Sequence, residues 1–203
     1  MLRLTVRPET LYFEDNFQLY AHMLSGSTTY INSFMKIVDI HTIADFWNTY
    51  NSLPSAKDLH SSTINVAGKK MVAYSLFKNN ITPEWEHPIN KKGSEWGCRE
   101  NLSCETFAET WRTLSLSFVN NELDHVVGVR CINKSNRNRV IHKIEVWMDT
   151  VDTELCMSVK DVLLNLIPDC PYFTLMQHEY KQHQANEYNK TKKNHKKERG
   201  ILR

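Results

Sequence analysis

The hydrophobic and polar positions of this chain follow two periods. Phe107, Trp111, Leu114 and Phe118 stand four, three and four residues apart, which puts them on one face over three helical turns. Ser103 or Cys104 precedes the run, and Glu105 falls in its first turn. A shorter helix is predicted over TIADFWNTY. It starts at Thr42, with Asp45 three residues on as its capping-box partner. A third helix is predicted from about Asp152 to Leu166, with Leu155, Val159, Val162 and Leu166 on its apolar face and Asp152 and Thr153 able to cap its start.

Strand-like runs fill much of the remainder. Met71 to Phe77 is one. Val126 to Ile132 is another, ending at a polar loop from Asn133 to Asn138. Val140 to Met148 returns from that loop. In it Ile144 and Val146 face one way, and Lys143, Glu145 and Trp147 face the other. A further strand is predicted near Tyr172 to Met176. Ser25 to Thr29, Leu53 to Ser62 and the stretch between Pro83 and Pro88 read as loops, and Asn90 to Gly93 as a turn. No internal repeat or interdomain linker breaks this order. It predicts an α+β fold, a curved antiparallel sheet with three helices over one face and the other face free for a ligand.

Composition narrows the class. A chain of 203 residues with 41% hydrophobic and 24% charged residues suits one soluble domain with a sizeable core. No apolar run approaches the roughly 20 residues of a membrane span, and the first residues carry no secretory signal. The five cysteines, Cys98, Cys104, Cys131, Cys156 and Cys170, form no CxxC pair. Free thiols in a reducing compartment, the cytoplasm, fit them. Residues 181–203 hold eight Lys or Arg against two Glu, so they carry +6 while the whole chain carries +2. A basic tail on a mildly acidic body excludes a protein that coats duplex nucleic acid with a uniformly positive surface. The tail is either a solvated end or a contact for a phosphate chain.

The catalytic and metal motifs are missing from the sequence. It has no GxGxxG, no Walker loop and no HExxH, and His178 and His183 are five apart and share no helical face. No enzyme, cofactor or metal is expected. Aromatic residues beside charges stand out instead. Trp85 lies between two prolines and two acids, and in such a loop it either packs or binds. Tyr30 follows an exposed loop, and Trp147 shares a strand face with Lys143. Flat rings stack on purines, more strongly on a cationic one. A carboxylate can accept from the N1–H and N2 amine of guanine, and nearby Lys and Arg can hold phosphates.

These pieces resemble the translation initiation factor 4E family, which binds the 5′ cap of messenger RNA. The similarity covers about residues 16 to 203. It rests on Ile43-Ala-Asp-Phe-Trp47-Asn-Thr-Tyr, on the run from Tyr74 to Glu86 (YSLFKNNITPEWE), on Asn90-Lys-Lys-Gly-Ser-Glu-Trp96, and on Lys143-Ile-Glu-Val-Trp147. The resemblance implies about eight strands, three helices on the convex face and a cap pocket on the concave face. It implies a variable arm over 1–15, a cap-binding domain over 16–180 and a basic segment over 181–203, near the cap phosphates or partly disordered. In the pocket it implies 7-methylguanine clamped between Tyr30 and Trp85 and read by Glu86, with Trp147 at the methyl group. It assigns the phosphates to Lys143 and to Lys134, Arg137 or Arg139 of the longer preceding loop. Trp96 matches a structural position of the family.

The resemblance also implies a monomer that recruits the initiation machinery. Its dorsal helix surface, with Ile43, Trp47 and Leu116, would bind a scaffold or other protein carrying a short helical Tyr/Leu motif. For Trp47, core packing is the alternative. Several positions depart from the family pattern. Tyr30 and Phe17 stand at two family Trp positions, as in a second class of the family that often represses translation. Glu95 stands where a basic residue is common and would repel phosphate if it points inward. Asn120 and Asn121 replace a glycine and a glutamate, and Arg112 and Thr113 replace a Leu–Glu pair. The alternative function is therefore a cap-binding repressor that competes with the general factor. With 18 Asn and a long loop, the chain reads as a divergent member, from a protist or a virus.

Overall fold

A computed structural model of the chain describes residues 11–24, 33–136 and 138–178. Tyr30, Arg137, the first ten residues and the basic segment lie outside them.

The strands are β1 (Tyr12–Leu24), β2 (Phe34–Thr42), β3 (Asn65–Val66), β4 (Lys69–Lys78), β5 (Ser94–Glu100), β6 (Val126–Asn133), β7 (His142–Met148) and β8 (Phe173–Gln177). They form one antiparallel curved sheet in the order β2-β1-β4-β6-β7-β5-β8, with β3 paired to β4. The β6–β7 hairpin has the predicted facing. Ile144 and Val146 join the main core, and Trp147 joins a second cluster on the opposite face. β1 begins at Tyr12, inside the stretch expected as an arm.

Among the described residues five helices accompany the sheet, the three expected and two short ones. Helix α1 (Ile43–Ser52) starts at the predicted capping box. Asp45 N donates to Thr42 Oγ1, and Thr42 N donates to Asp45 Oδ2. Helix α2 (Ala56–His60) falls in the predicted Leu53–Ser62 loop. The reason is a second capping box, Ser55 with Asp58. Helix α3 (Pro88–Lys91) is one turn begun by a proline at its first position. Helix α4 (Cys104–Val119) is capped by Ser103 and buries the four predicted residues.

Helix α5 (Thr153–Leu166) corrects the expected face. Its buried residues are Cys156, Val159 and Leu163, while Leu155 and Val162 are exposed. Val159 and Leu166 of the predicted stripe do pack on the core, and the stripe turns toward Cys156 and Leu163 because buried free cysteine packs as a small hydrophobe. Trp96 then docks on this helix, with Nε1 donating to Cys156 O at 2.8 Å. It is buried, as its structural role requires.

The large core lies between sheet and helices. Phe17 sits in it edge-on to Phe118 of α4, 5.2 Å between centroids. The chain has only 6 Gly, and asparagine takes over some of their work. Asn79, Asn80 and Asn121 all have positive φ, a region Asn enters at less cost than most residues. Past α4, Asn120, at the position of the family's glycine, has φ −84°, and the left-handed residue of the turn is Asn121.

Candidate functional site

The concave face carries the smaller cluster of Tyr20, Phe77, Ile81, Val127 and Trp147, with Trp85 packed against it from the loop after β4. Two glycines shape this face. Gly128, opposite Trp147, lets the Phe77 ring lie against bare backbone. Gly97, opposite Glu145, leaves the groove along which Lys143 extends. The Trp147 ring is fully buried. Phe77 meets it edge-on at 5.4 Å, His178 lies 4.4 Å away, and the Arg130 guanidinium stands 5.5 Å over it.

A network of buried charge runs beside this cluster. Lys143 Nζ donates to Glu95 Oε1 at 2.8 Å and to Glu145 Oε1 at 2.5 Å. Arg130 Nη1 donates to Glu145 Oε2 at 2.7 Å, and its Nε donates to Ser75 Oγ at 2.9 Å. Trp147 Nε1 donates to the same Glu145 Oε2 at 3.1 Å. His178 spans Asn90 O and Glu95 Oε2 with its two ring nitrogens. Burial pulls the Lys143 pKa down, but Glu145 and Glu95 outweigh it and leave the pKa raised. Glu95 does point inward, and there it neutralises a lysine.

In front of the network opens a cleft of about 480 Å³. Trp85 lines it, and so do His22, Lys70, Arg99, Arg130, Lys134 and Glu145. The His22 pKa is held at about 4, first by burial and then by the positive charges of Arg130 and Lys134. The structure thus brings Trp85 and Lys134 to one cleft, with Lys143 and Trp147 buried behind its wall. Glu86 is exposed beside Trp85, and Arg139 is exposed in a tight turn closed by Asn136. Tyr30 and Arg137 fall outside the described residues. Arg130, Arg99 and Lys70 escaped the sequence reading. Arg130 lies on an apolar strand, and only its place on the Lys143 face, paired across to Glu145, could have flagged it.

On the helix side, α1 buries only Phe46. Ile43 and Trp47 are 40% and 39% exposed, and Trp47 touches Phe46 and Tyr50 edge-on. Leu116 is half-buried against the core. Arg112 is exposed and paired with Glu109 one turn back. All five cysteines are free, four of them buried. Among the described residues no cluster of His, Cys, Asp or Glu is arranged to hold a metal, and no helix is long and apolar enough to cross a membrane.

The architecture defines a sheet protein with a cleft on its concave side and a helical layer on the other. The family model described as Eukaryotic initiation factor 4E matches residues 10–198, and the chain belongs to that family. Among curated relatives, the translation initiation factor NCBP of Triticum aestivum is 32% identical over 168 residues, 79% of this chain and 63% of its own. The initiation factor 4E1 of Drosophila melanogaster is 33% identical over 122 residues, 55% of this chain and 40% of its own. The first relatives are matched over 46% to 64% of their length. Among solved structures, C. elegans eIF4E-3 in complex with the 4E-binding protein Mextli and a cap analog has the same fold. Its TM-score is 0.71 at 20% identity, with 86% of this chain and 96% of that chain covered. Ascaris suum eIF4E-3 with an m2,2,7G cap gives 0.65 at 17% identity, over 78% of this chain and 85% of that one.

Proposed function

We propose that this chain binds the 7-methylguanosine 5′ cap of messenger RNA, without catalysis, and acts in cytoplasmic translation. One observation carries the reading: a single cleft is lined by a half-buried tryptophan, Trp85, and by a group of cations. Stacking on Trp85, aided by Tyr30, would hold a cationic purine, since the ring face attracts positive charge. Glu86 would accept from the guanine edge, and the cations would take the phosphates. The 4E-type relatives, and neighbours solved with cap analogs, support that ligand.

Binding of 7-methylguanosine triphosphate is to be measured against guanosine triphosphate. The parent should prefer the methylated ligand, and Trp85→Ala should lose about tenfold or more of that affinity, the scale of one base–aromatic stack. Glu86→Ala should weaken both guanine ligands. Equal, weak binding of the two nucleotides by the parent would overturn the proposal.

The exposed Ile43–Trp47 edge of α1 is proposed as a docking surface for a partner helix, which buries apolar side chains one turn apart. Neighbours solved with 4E-binding proteins support it. Recruitment of the initiation scaffold is the leading role. The Arg112–Glu109 pair puts charge where the family has a leucine, and this favours the repressor alternative, in which the standard scaffold binds poorly. Capture of a scaffold peptide by the parent and not by Trp47→Ala would decide for recruitment.

A further inference from the structure

The loop between β4 and α3 carries Trp85 and Glu86 side by side, and one buried amide closes it. Glu84 N donates to Thr82 O at 2.8 Å, and His87 N donates to Glu84 O at 3.2 Å. These turns leave the carbonyls of Thr82 and Glu84 converging on one point, which Asn90 fills. Asn90 is fully buried, and its Nδ2 donates to Thr82 O at 2.7 Å and to Glu84 O at 2.8 Å. Its Oδ1 has no partner among the described residues, so the side chain bonds to this loop alone. A primary amide sets two N–H donors on one uncharged atom. Serine has a single donor, and an ionised aspartate has none.

Asn90 is itself anchored on both sides. Pro88 begins the single turn of α3, and Lys91 N closes that turn on His87 O at 2.9 Å. Asn90 O accepts from Gly93 N at 3.0 Å and from His178 Nδ1 at 2.8 Å. His178 is also fully buried, its N donates to Gly93 O at 3.1 Å, and its ring lies 4.4 Å from Trp147. The amide is thus presented by a frame fixed to the sheet. Asn90 is not among the residues that line the cleft, so any effect on a ligand passes through the loop it holds.

We propose that Asn90 is the positioning residue of the cleft, its side-chain amide holding the loop so that Trp85 and Glu86 meet the base together. Its role toward the base rests on the cap-binding reading, and its closure of the loop is tested apart from that reading.

The first part of the test needs no ligand. In the free parent, hydrogen exchange followed by NMR should find the Asn90 Nδ2 protons and the Glu84 and His87 N–H groups protected. Asn90→Asp keeps the volume and turns the double donor into an acceptor, and Asn90→Ala removes it. In both, the Glu84 and His87 N–H groups should exchange about tenfold faster or more, the scale of two lost neutral hydrogen bonds, with the amides of α4 and β6 unchanged. Unchanged exchange in the loop overturns the proposal. So does rapid exchange of the parent's own Asn90 Nδ2 protons, whether or not a variant folds. The second part measures the affinity for 7-methylguanosine triphosphate. Asn90→Ala should lower it about tenfold in the parent and by much less in the Trp85→Ala background, where the ring it positions is gone. Equal losses in the two backgrounds would mark a general weakening and overturn the positioning role. If the parent binds methylated and plain guanosine triphosphate equally and weakly, the cap reading falls, and the exchange measurements still decide whether Asn90 holds the loop.

Discussion

On β7, Ile144, Val146 and Met148 point toward the helices and join a core that includes Phe107, Leu114 and Phe118 of α4. One residue along in each case, Lys143, Glu145 and Trp147 point the other way, into a five-residue cluster flanked by buried ions. The same strand thus serves two environments. The helix side gains stability by removing apolar surface from water. The concave side spends its interior on charges that are tolerable only while each keeps its partners. A fold gains little stability from buried ions, so the two faces of one strand are held by different means.

The comparison breaks most visibly if one residue is removed from each side. Phe118→Ala empties part of the apolar core and should cost about 3–5 kcal/mol. Glu145→Ala removes the carboxylate that Lys143, Arg130 and Trp147 all bond, and should also cost about 3–5 kcal/mol. Urea unfolding measures both. A loss below about 1 kcal/mol for Glu145→Ala would show that the charged face is not held by its pairing.

Gly128→Ala comes next. An added Cβ would lie 2.6 Å from Phe77 Cγ, with other ring atoms nearer still. The ring cannot retreat, because Trp147 packs edge-on against it. The expected cost is about 1–3 kcal/mol, the range of an overpacked core, read from the same urea midpoints.

The helix side holds a buried histidine. His142 is buried in a stack on His60, 4.1 Å between centroids, beside Phe107. Its pKa is lowered to about 4, by burial first and by His60 second. The fold therefore favours the neutral ring. As pH falls below the ordinary histidine value of about 6.5, the unfolded chain takes up the proton first, and stability declines until the folded pKa near 4 is reached. His142→Phe should flatten this part of the acid limb between pH 6.5 and 4. An unaltered slope would mean that His142 is not its source.

The two sides also differed in how far the sequence exposed them. Periods of 3.6 and 2 report apolar burial, so α4, the β6–β7 hairpin and the side of Trp147 were all legible. The face of α5 was misread because its buried stripe includes Cys156. Helix α2 was missed because its Ser55–Asp58 capping box sits among loop-like residues. On the concave side the pattern of residues suggested the ligand, but pairing could not be read. Glu95, Lys143 and Glu145 are up to 50 residues apart in sequence and meet only through the β5–β7 register. Which of these charges pair depends on that register and not on their spacing along the chain.

Gly97→Ala is the mildest and sharpest test of the contrast. It is the same chemical change as Gly128→Ala, on the same face, with β7 lying between the two strands. The new Cβ would lie 3.1 Å from Lys143 Cε and 3.5 Å from Nζ. Those atoms end a flexible side chain, and a shift of a few tenths of an ångström relieves the contact. The lower entropy of the unfolded alanine chain offsets about 0.4–1 kcal/mol of any strain. The net change should therefore stay within about 0.5 kcal/mol, while Lys143 is pressed away from the groove that leads it to Glu95. If urea unfolding instead shows a loss as large as that of Gly128→Ala, Lys143 is pinned as firmly as the Phe77 ring, and the charged face is as rigidly packed as the apolar one.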